Sequence, residues 1–139
     1  MINSRKLEDL HPKVGKMCNE FISKCKDEGI DVIITSTYRD AESQNELYAQ
    51  GRTKPGKVVT NAKAGDSFHN YQLAFDFVPV VSGKAQWNDL SLFKRCGEIA
   101  KSCGLEWAGE WKSFKEYAHC QFTDGLSLKD LKSGKYIKS

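Results

Sequence analysis

Leu73-Ala74-Phe75-Asp76-Phe77-Val78-Pro79-Val80 reads as a β-strand with Phe75 and Phe77 on one face and Ala74 and Asp76 on the other. An acid opposite two phenylalanines points away from the side that this pattern marks as core. Upstream, Asp31-Val32-Ile33-Ile34-Thr35-Ser36-Thr37 is rich in β-branched residues and predicts a second, buried strand. Pro12 opens a helix in which Val14, Met17, Cys18, Phe21, Ile22 and Cys25 recur at helical spacing, and Gly29 ends it. Asp40 caps a short helix through Leu47 and Tyr48, stopped by Gly51. Residues 52–66 carry two glycines, a proline and four bases but little pattern. Downstream, Val81-Ser82-Gly83-Lys84 reads as a turn, and Asp89 to Ser102 as a helix with Leu92, Phe93, Cys96, Ile99 and Ala100 on its apolar side. Gly104 closes that helix and Leu105–Trp107 is extended. Glu116 to Phe122 gives a last strand, and Leu126 to Leu131 a short terminal helix. Helices and strands mix without strict alternation, which favours an α+β fold over a parallel α/β sheet.

The chain's 139 residues predict a single domain over 1–139, large enough to bury a core without staples. Charged residues at 28% and hydrophobic residues at 40% are those of an ordinary globular protein. Twenty-one Lys and Arg against 18 Asp and Glu leave a net charge of +3, too small to favour nucleic acid as a partner but compatible with an anionic polymer. No apolar stretch follows Met1–Lys6, so neither a signal peptide nor stable membrane insertion is expected. The expectation is synthesis in the cytoplasm and, for work outside, exit by another route.

Five cysteines without a secretory signal favour reduced thiols. Cys18/Cys25 and Cys96/Cys103 are each separated by two helical turns, about 10.5 Å, beyond disulfide reach within a helix. They are expected on buried helix faces, as small hydrophobes.

Of three histidines, His69 lies in Ser67-Phe68-His69-Asn70-Tyr71-Gln72 and His119 in Glu116-Tyr117-Ala118-His119-Cys120-Gln121. His11, just before Pro12, reads as a residue at a helix start. His69, Asp76 and His119 together supply the two imidazoles and a carboxylate of a catalytic zinc site, which keeps one position open for water. Such a site makes hydroxide available at neutral pH, and a nearby carboxylate must take the proton; Glu116 is nearest in sequence to a ligand. In an ideal strand, three residues separate Glu116 from His119 onto opposite faces. Glu116 must therefore precede the strand, or the chain must bend. His119 shares a strand face with Tyr117 and Gln121, while Cys120 has the opposite parity and is expected to pack inward.

Ser-x-His-x6-Asp followed far downstream by Glu-x-x-His resembles the zinc D-alanyl-D-alanine carboxypeptidase and L-alanyl-D-glutamate peptidase family, whose small members include phage endolysins. Ser36-Thr37-Tyr38-Arg39 with Gln44, Leu47-Tyr48 and Gly51 looks like that family's approach to the substrate cleft. Gly104-Leu105-Glu106-Trp107-Ala108-Gly109-Glu110-Trp111 with Phe114 resembles its approach to the second histidine. Gly125–Leu131 resembles the tail of the L-alanyl-D-glutamate branch. The resemblance spans about residues 30–135, with Glu116 where Asp is frequent and Ala118-His119-Cys120 where Pro-His-Phe is frequent.

What the resemblance implies is a compact α+β domain with a small, mainly antiparallel sheet flanked by helices, of the type shared with the hedgehog signalling domain. It implies one zinc per chain held by His69, Asp76 and His119, Glu116 as general base, and Arg39 holding a substrate carboxylate or the charged intermediate. Gln44 and Ser67 match positions that line the substrate cleft. The expected activity is cleavage of the peptidoglycan stem peptide at the L-alanyl-D-glutamate bond by a monomeric endolysin without a separate wall-binding domain, reaching the wall through a separately encoded pore. The rivals are a D-alanyl-D-alanine carboxypeptidase or dipeptidase, a non-catalytic zinc-containing wall-binding module, and a nucleic-acid binder using Arg52, Lys54, Lys57 and Lys63. The simplest reading of those bases is a solvated loop. At least two of Trp87, Trp107 and Trp111 are expected in the core or the cleft wall.

Overall fold

The computed structural model describes residues 1–113 and 115–138. Phe114 lies outside the described residues. Helix α1 spans Pro12–Asp27, with the His11 ring accepting from Lys13 N–H at the N-cap. It ends ahead of Gly29, whose φ of +77° is left-handed backbone that glycine adopts at no steric cost. Strand β1 is Asp31–Ser36, helix α2 Ala41–Ala49, strand β2 Ala74–Val81 and strand β3 Lys84–Ala85. Helix α3 covers Leu90–Ser102, strand β4 Glu106–Trp107, strand β5 His119–Gln121 and helix α4 Leu128–Lys132. Asp40 and Asp89 cap α2 and α3 by accepting from Ser43 and Leu92 N–H. Among the described residues no helix is long and apolar enough to cross a membrane.

The sheet runs β1-β2-β5-β4, with β3 paired to the end of β2, and every pairing in it is antiparallel. The fold is thus the α+β domain with a small antiparallel sheet and flanking helices. Alternation in β2 does what its sequence predicts. Phe75 and Phe77 are fully buried and meet Phe21 of α1, with ring centroids 5.8 and 5.0 Å apart, while Phe77 meets Phe93 of α3 at 5.6 Å. Each such ring contributes roughly 1.5–3 kcal/mol by burial. One sheet face therefore carries α1 and α3, and Asp76 projects from the other.

The last strand is shorter than the predicted Glu116–Phe122. Residues 116–118 form a turn whose Glu116 N–H donates to Ala108 O at 3.3 Å, so regular pairing begins only at His119. The first strand stops at Ser36, one residue early, because Thr37 N–H turns to Ser4 O at 2.7 Å. The terminal helix starts at Leu128, not Leu126, since Ser127 supplies its capping box. The cysteines are all free; four are buried, and Cys103 is only half-buried at the C-cap of α3.

Candidate metal centre

Asp76 on β2 and His119 on β5 are directly opposed in the antiparallel ladder. Directly opposed residues project from the same face with Cβ atoms about 4.5–5.5 Å apart, so the register itself makes them neighbours. His69 arrives from a 3₁₀ turn, Phe68–Tyr71, that leads into β2. Ser67 caps this turn, its Oγ accepting from His69 N–H at 3.2 Å, and Asn70 completes a capping box. The turn leaves through Gln72, whose left-handed φ of 66° is held by an amide donating to Asp9 O at 2.9 Å.

His69 Nε2 and His119 Nδ1 each lie 3.2 Å from Asp76 Oδ1, and the three donor atoms all fall within 4.8 Å of one another. Both rings are buried, whereas the Asp76 side chain keeps 26% of its surface exposed. The far ring nitrogens have oxygen partners: His69 Nδ1 meets Thr37 O at 2.8 Å, and His119 Nε2 meets Gln121 Oε1 at 2.8 Å. Carbonyl oxygens only accept, so in the neutral rings the far nitrogens keep the hydrogen, and the near ones, which face Asp76, are the positions a cation would take. Two imidazole lone pairs and a carboxylate converging beside an open cleft are a donor set that fits a divalent transition metal, zinc above all.

Burial works to raise the Asp76 pKa, but the charge on His69 and hydrogen bonds from His119 and His69 hold it well below the usual carboxylate range. Burial disfavours the charged form of His119, yet its hydrogen bond to Asp76 and the charges of Asp76 and Glu116 raise its pKa overall.

Glu116 sits in the turn before β5, so the parity conflict does not arise. Its Oε2 lies 3.6 Å from His119 Nδ1, and its side chain is 57% exposed toward the cleft. Trp107 fixes the neighbouring peptide by donating from Nε1 to Tyr117 O at 2.8 Å. Arg39, by contrast, is largely buried. Its guanidinium donates to Gln44 Oε1 at 3.0 Å and Ser36 Oγ at 3.2 Å and stands 4.0 Å from Asp76 Oδ2. A bulge between Ile34 and Ser36 sets Ser36 opposite Asp76, which is why Ser36 is in place to receive it. Burial lowers the Arg39 pKa, opposed by Asp76 and Glu116.

These residues border a cleft of about 740 Å³, which Ser67 also lines. The patternless loop supplies one wall, through Val59 to Ala62, and Trp111 the other, its ring 5.9 Å from that of His119. Gln44 departs from the expectation that it lines the cleft. It is fully buried, accepting from Arg39 and donating from Nε2 to Ala62 O at 2.7 Å, so it acts on the cleft only by tying Arg39 to the loop wall. Cys120 packs in the core, as its parity predicts. Trp107 is buried, Trp111 is cleft wall and Trp87 is exposed. The bases at 52, 54, 57 and 63 are solvent-exposed; Arg52 lies over the Tyr48 ring at 3.9 Å. Thr37, Asn70 and Gln121 support the site without having been singled out from sequence for it. Only Gln121 carried a signal, its shared strand face with His119.

The family profile described as D-alanyl-D-alanine carboxypeptidase matches residues 60–122. The peptidoglycan L-alanyl-D-glutamate endopeptidase CwlK of Bacillus subtilis (strain 168) is 43% identical over 122 residues, covering 81% of this chain and 73% of that protein. The L-alanyl-D-glutamate peptidase of Listeria phage A118 is 30% identical over 99 residues, 68% of this chain but 31% of the phage protein. Among solved structures, the Serratia marcescens L-Ala D-Glu endopeptidase ChiX superposes with a TM-score of 0.63 at 21% identity, covering 90% of this chain and 86% of that one. The vancomycin-resistance D,D-pentapeptidase VanY, solved as an E175A mutant with Zn(II), superposes with 0.63 at 13% identity, covering 89% and 76%. These last two likenesses concern the fold. With 43% identity to CwlK across most of both proteins, the chain belongs to the D-alanyl-D-alanine carboxypeptidase and L-alanyl-D-glutamate peptidase family.

Proposed function

We propose that this chain is a zinc peptidase that cuts the stem peptide of peptidoglycan at its L-alanyl-D-glutamate bond. The observation that carries the reading is the pairing of 43% identity to an L-alanyl-D-glutamate endopeptidase with a His69–Asp76–His119 donor cluster that has a carboxylate, Glu116, beside it. Zinc, which His69, Asp76 and His119 would hold, would supply Lewis-acid polarisation of a carbonyl and acidify water at neutral pH. Glu116, exposed to the cleft, takes a proton from water and returns it to the leaving amine. Arg39 presents its guanidinium to negative charge, either a substrate carboxylate or the oxyanion, from a largely buried position at the cleft. Thr37 and Gln121 hold the two imidazoles in the tautomers that leave the near nitrogens free.

The biological role that goes with this reading is that of an endolysin, acting as a monomer on walls reached through a separately encoded membrane pore. Its support is the phage relative and the tail around Gly125–Leu131. A lytic enzyme gains most from cutting next to the glycan, since one cut detaches the stem peptide with its crosslink. Mass spectrometry of digested peptidoglycan tests the bond. Stem peptides beginning at D-glutamate are expected, with falling turbidity of exposed walls. Free D-alanine as sole product, at constant turbidity, would replace this reading with a D-alanyl-D-alanine carboxypeptidase.

A further inference from the structure

We propose that Gln121 is a positioning residue for zinc, selecting the tautomer of His119 that can bind the metal; this rests on the reading of His119 as a ligand. The His119 ring faces Asp76 through Nδ1, at 3.2 Å, so only the tautomer with its hydrogen on Nε2 offers a lone pair to a cation there. Gln121 Oε1 stands 2.8 Å from that Nε2, and both side chains are buried. An amide oxygen can only accept, so it stabilises the hydrogen on Nε2 and penalises the other tautomer with two lone pairs facing one another.

The placement follows from the strand. Residues 119 and 121 share a face of β5 by their spacing of two. Gln121 is paired on both sides, with Ala74 of β2 and Glu106 of β4, so the backbone that carries the amide is clamped. The orientation of the amide matters as much as its presence. Were the NH2 turned toward His119, it would donate to Nε2 and drive the hydrogen onto Nδ1, closing the position a metal needs. A glutamate at 121 would accept with either oxygen and carries no such ambiguity. The two histidines are also held differently. Thr37 holds His69 through its main-chain carbonyl, which no substitution removes, whereas the His119 partner is a side chain. Loss of such an outer partner of a ligating histidine typically costs about 10–100-fold in metal affinity.

The experiment compares zinc dissociation constants, by competition with a chromogenic chelator, for wild type, Gln121→Met, Gln121→Glu and His119→Ala. Gln121→Met keeps length without an acceptor and is expected to weaken zinc about 10–100-fold, while Gln121→Glu restores wild-type affinity or exceeds it. Nitrogen-15 shifts of zinc-loaded wild type should report His119 with its hydrogen on Nε2 and Nδ1 bound to the metal, a readout that needs no variant to fold. Wild-type affinity in folded Gln121→Met, no rescue by glutamate, or a His119 that carries its hydrogen on Nδ1 in the zinc-loaded protein each overturns the proposal. Should His119→Ala bind zinc as wild type does, the ligand reading itself fails; should it lose zinc while Gln121→Met keeps it, only the positioning role fails.

Discussion

Replacing Gly97 by alanine sets two opposite effects against each other within α3. In an exposed helix interior the change would stabilise by about 1 kcal/mol, because alanine loses less backbone entropy. At this position a Cβ would lie 2.2, 2.4 and 2.5 Å from Cδ2, Cε3 and Cε2 of Trp107, where real contacts do not fall below 3.0 Å. The indole would have to retreat by most of an ångström, and it has nowhere to go. Trp107 is 3% exposed, and Gly109 presses on it so closely that a Cβ there would come within 2.1 Å of Cζ2. Overpacking a tight core costs typically about 1–3 kcal/mol and occasionally more, and the absence of room puts this case at the upper end. Net of the helix gain, a loss of about 2 kcal/mol is expected, which for a chain of this size lowers Tm by about 4–8 °C. Circular dichroism melting with a chelator present checks it, since bound metal would mask the change. Peptidase activity should fall as well, because the same indole fixes the Tyr117 carbonyl next to Glu116. A Tm equal to or above wild type would refute the account of Trp107 as wedged between two glycines.

Glu116→Gln keeps size but cannot accept a proton; it should retain zinc and fold while activity falls about 10²–10⁴-fold, and wild-type rates in the zinc-loaded variant would move the base elsewhere. Gln44→Leu strands an Arg39 N–H and the Ala62 carbonyl, an expected loss of about 1–3 kcal/mol in urea unfolding together with reduced kcat/KM. Unchanged stability would show that water replaces the amide. Iodoacetamide at pH 8 should label Cys103 first and spare Cys18, whose thiol burial pushes up to about 12, as read by peptide mass spectrometry. Because the folded pKa of Cys18 is raised above its ordinary 9.0, its stabilising contribution is complete below pH 9 and is lost as pH rises toward 12, so a Cys18→Ala protein should lose less stability between pH 9 and 12 than wild type does.

Local pattern alone determined a good deal of this protein. Periodicity placed α1, α3 and β2 to within a residue or two, because each is decided by which neighbours three, four or two positions away are apolar. Alternation around Asp76 turned the acid from the core, and the resemblance of Ser-x-His-x6-Asp and Glu-x-x-His to the peptidase family pointed to the candidate donor set before any contact was visible. Parity even exposed the conflict between Glu116 and His119, though not its resolution. That lay in the tertiary structure, where a hydrogen bond to Ala108 and one from Trp107 hold residues 116–118 as a turn. Which nitrogen of each histidine faces the site likewise depended on partners distant in the chain or brought round by strand register: Thr37 for His69, and Asp76, across the β2–β5 ladder, for His119. Gln44 shows the limit most clearly. A polar residue on a helix with no strong apolar stripe reads as solvent- or cleft-facing, yet it is fully buried because Arg39 and Ala62 meet it from two other segments. A side chain's polarity says that it needs partners; only the folded chain decides whether water, substrate or the protein itself supplies them.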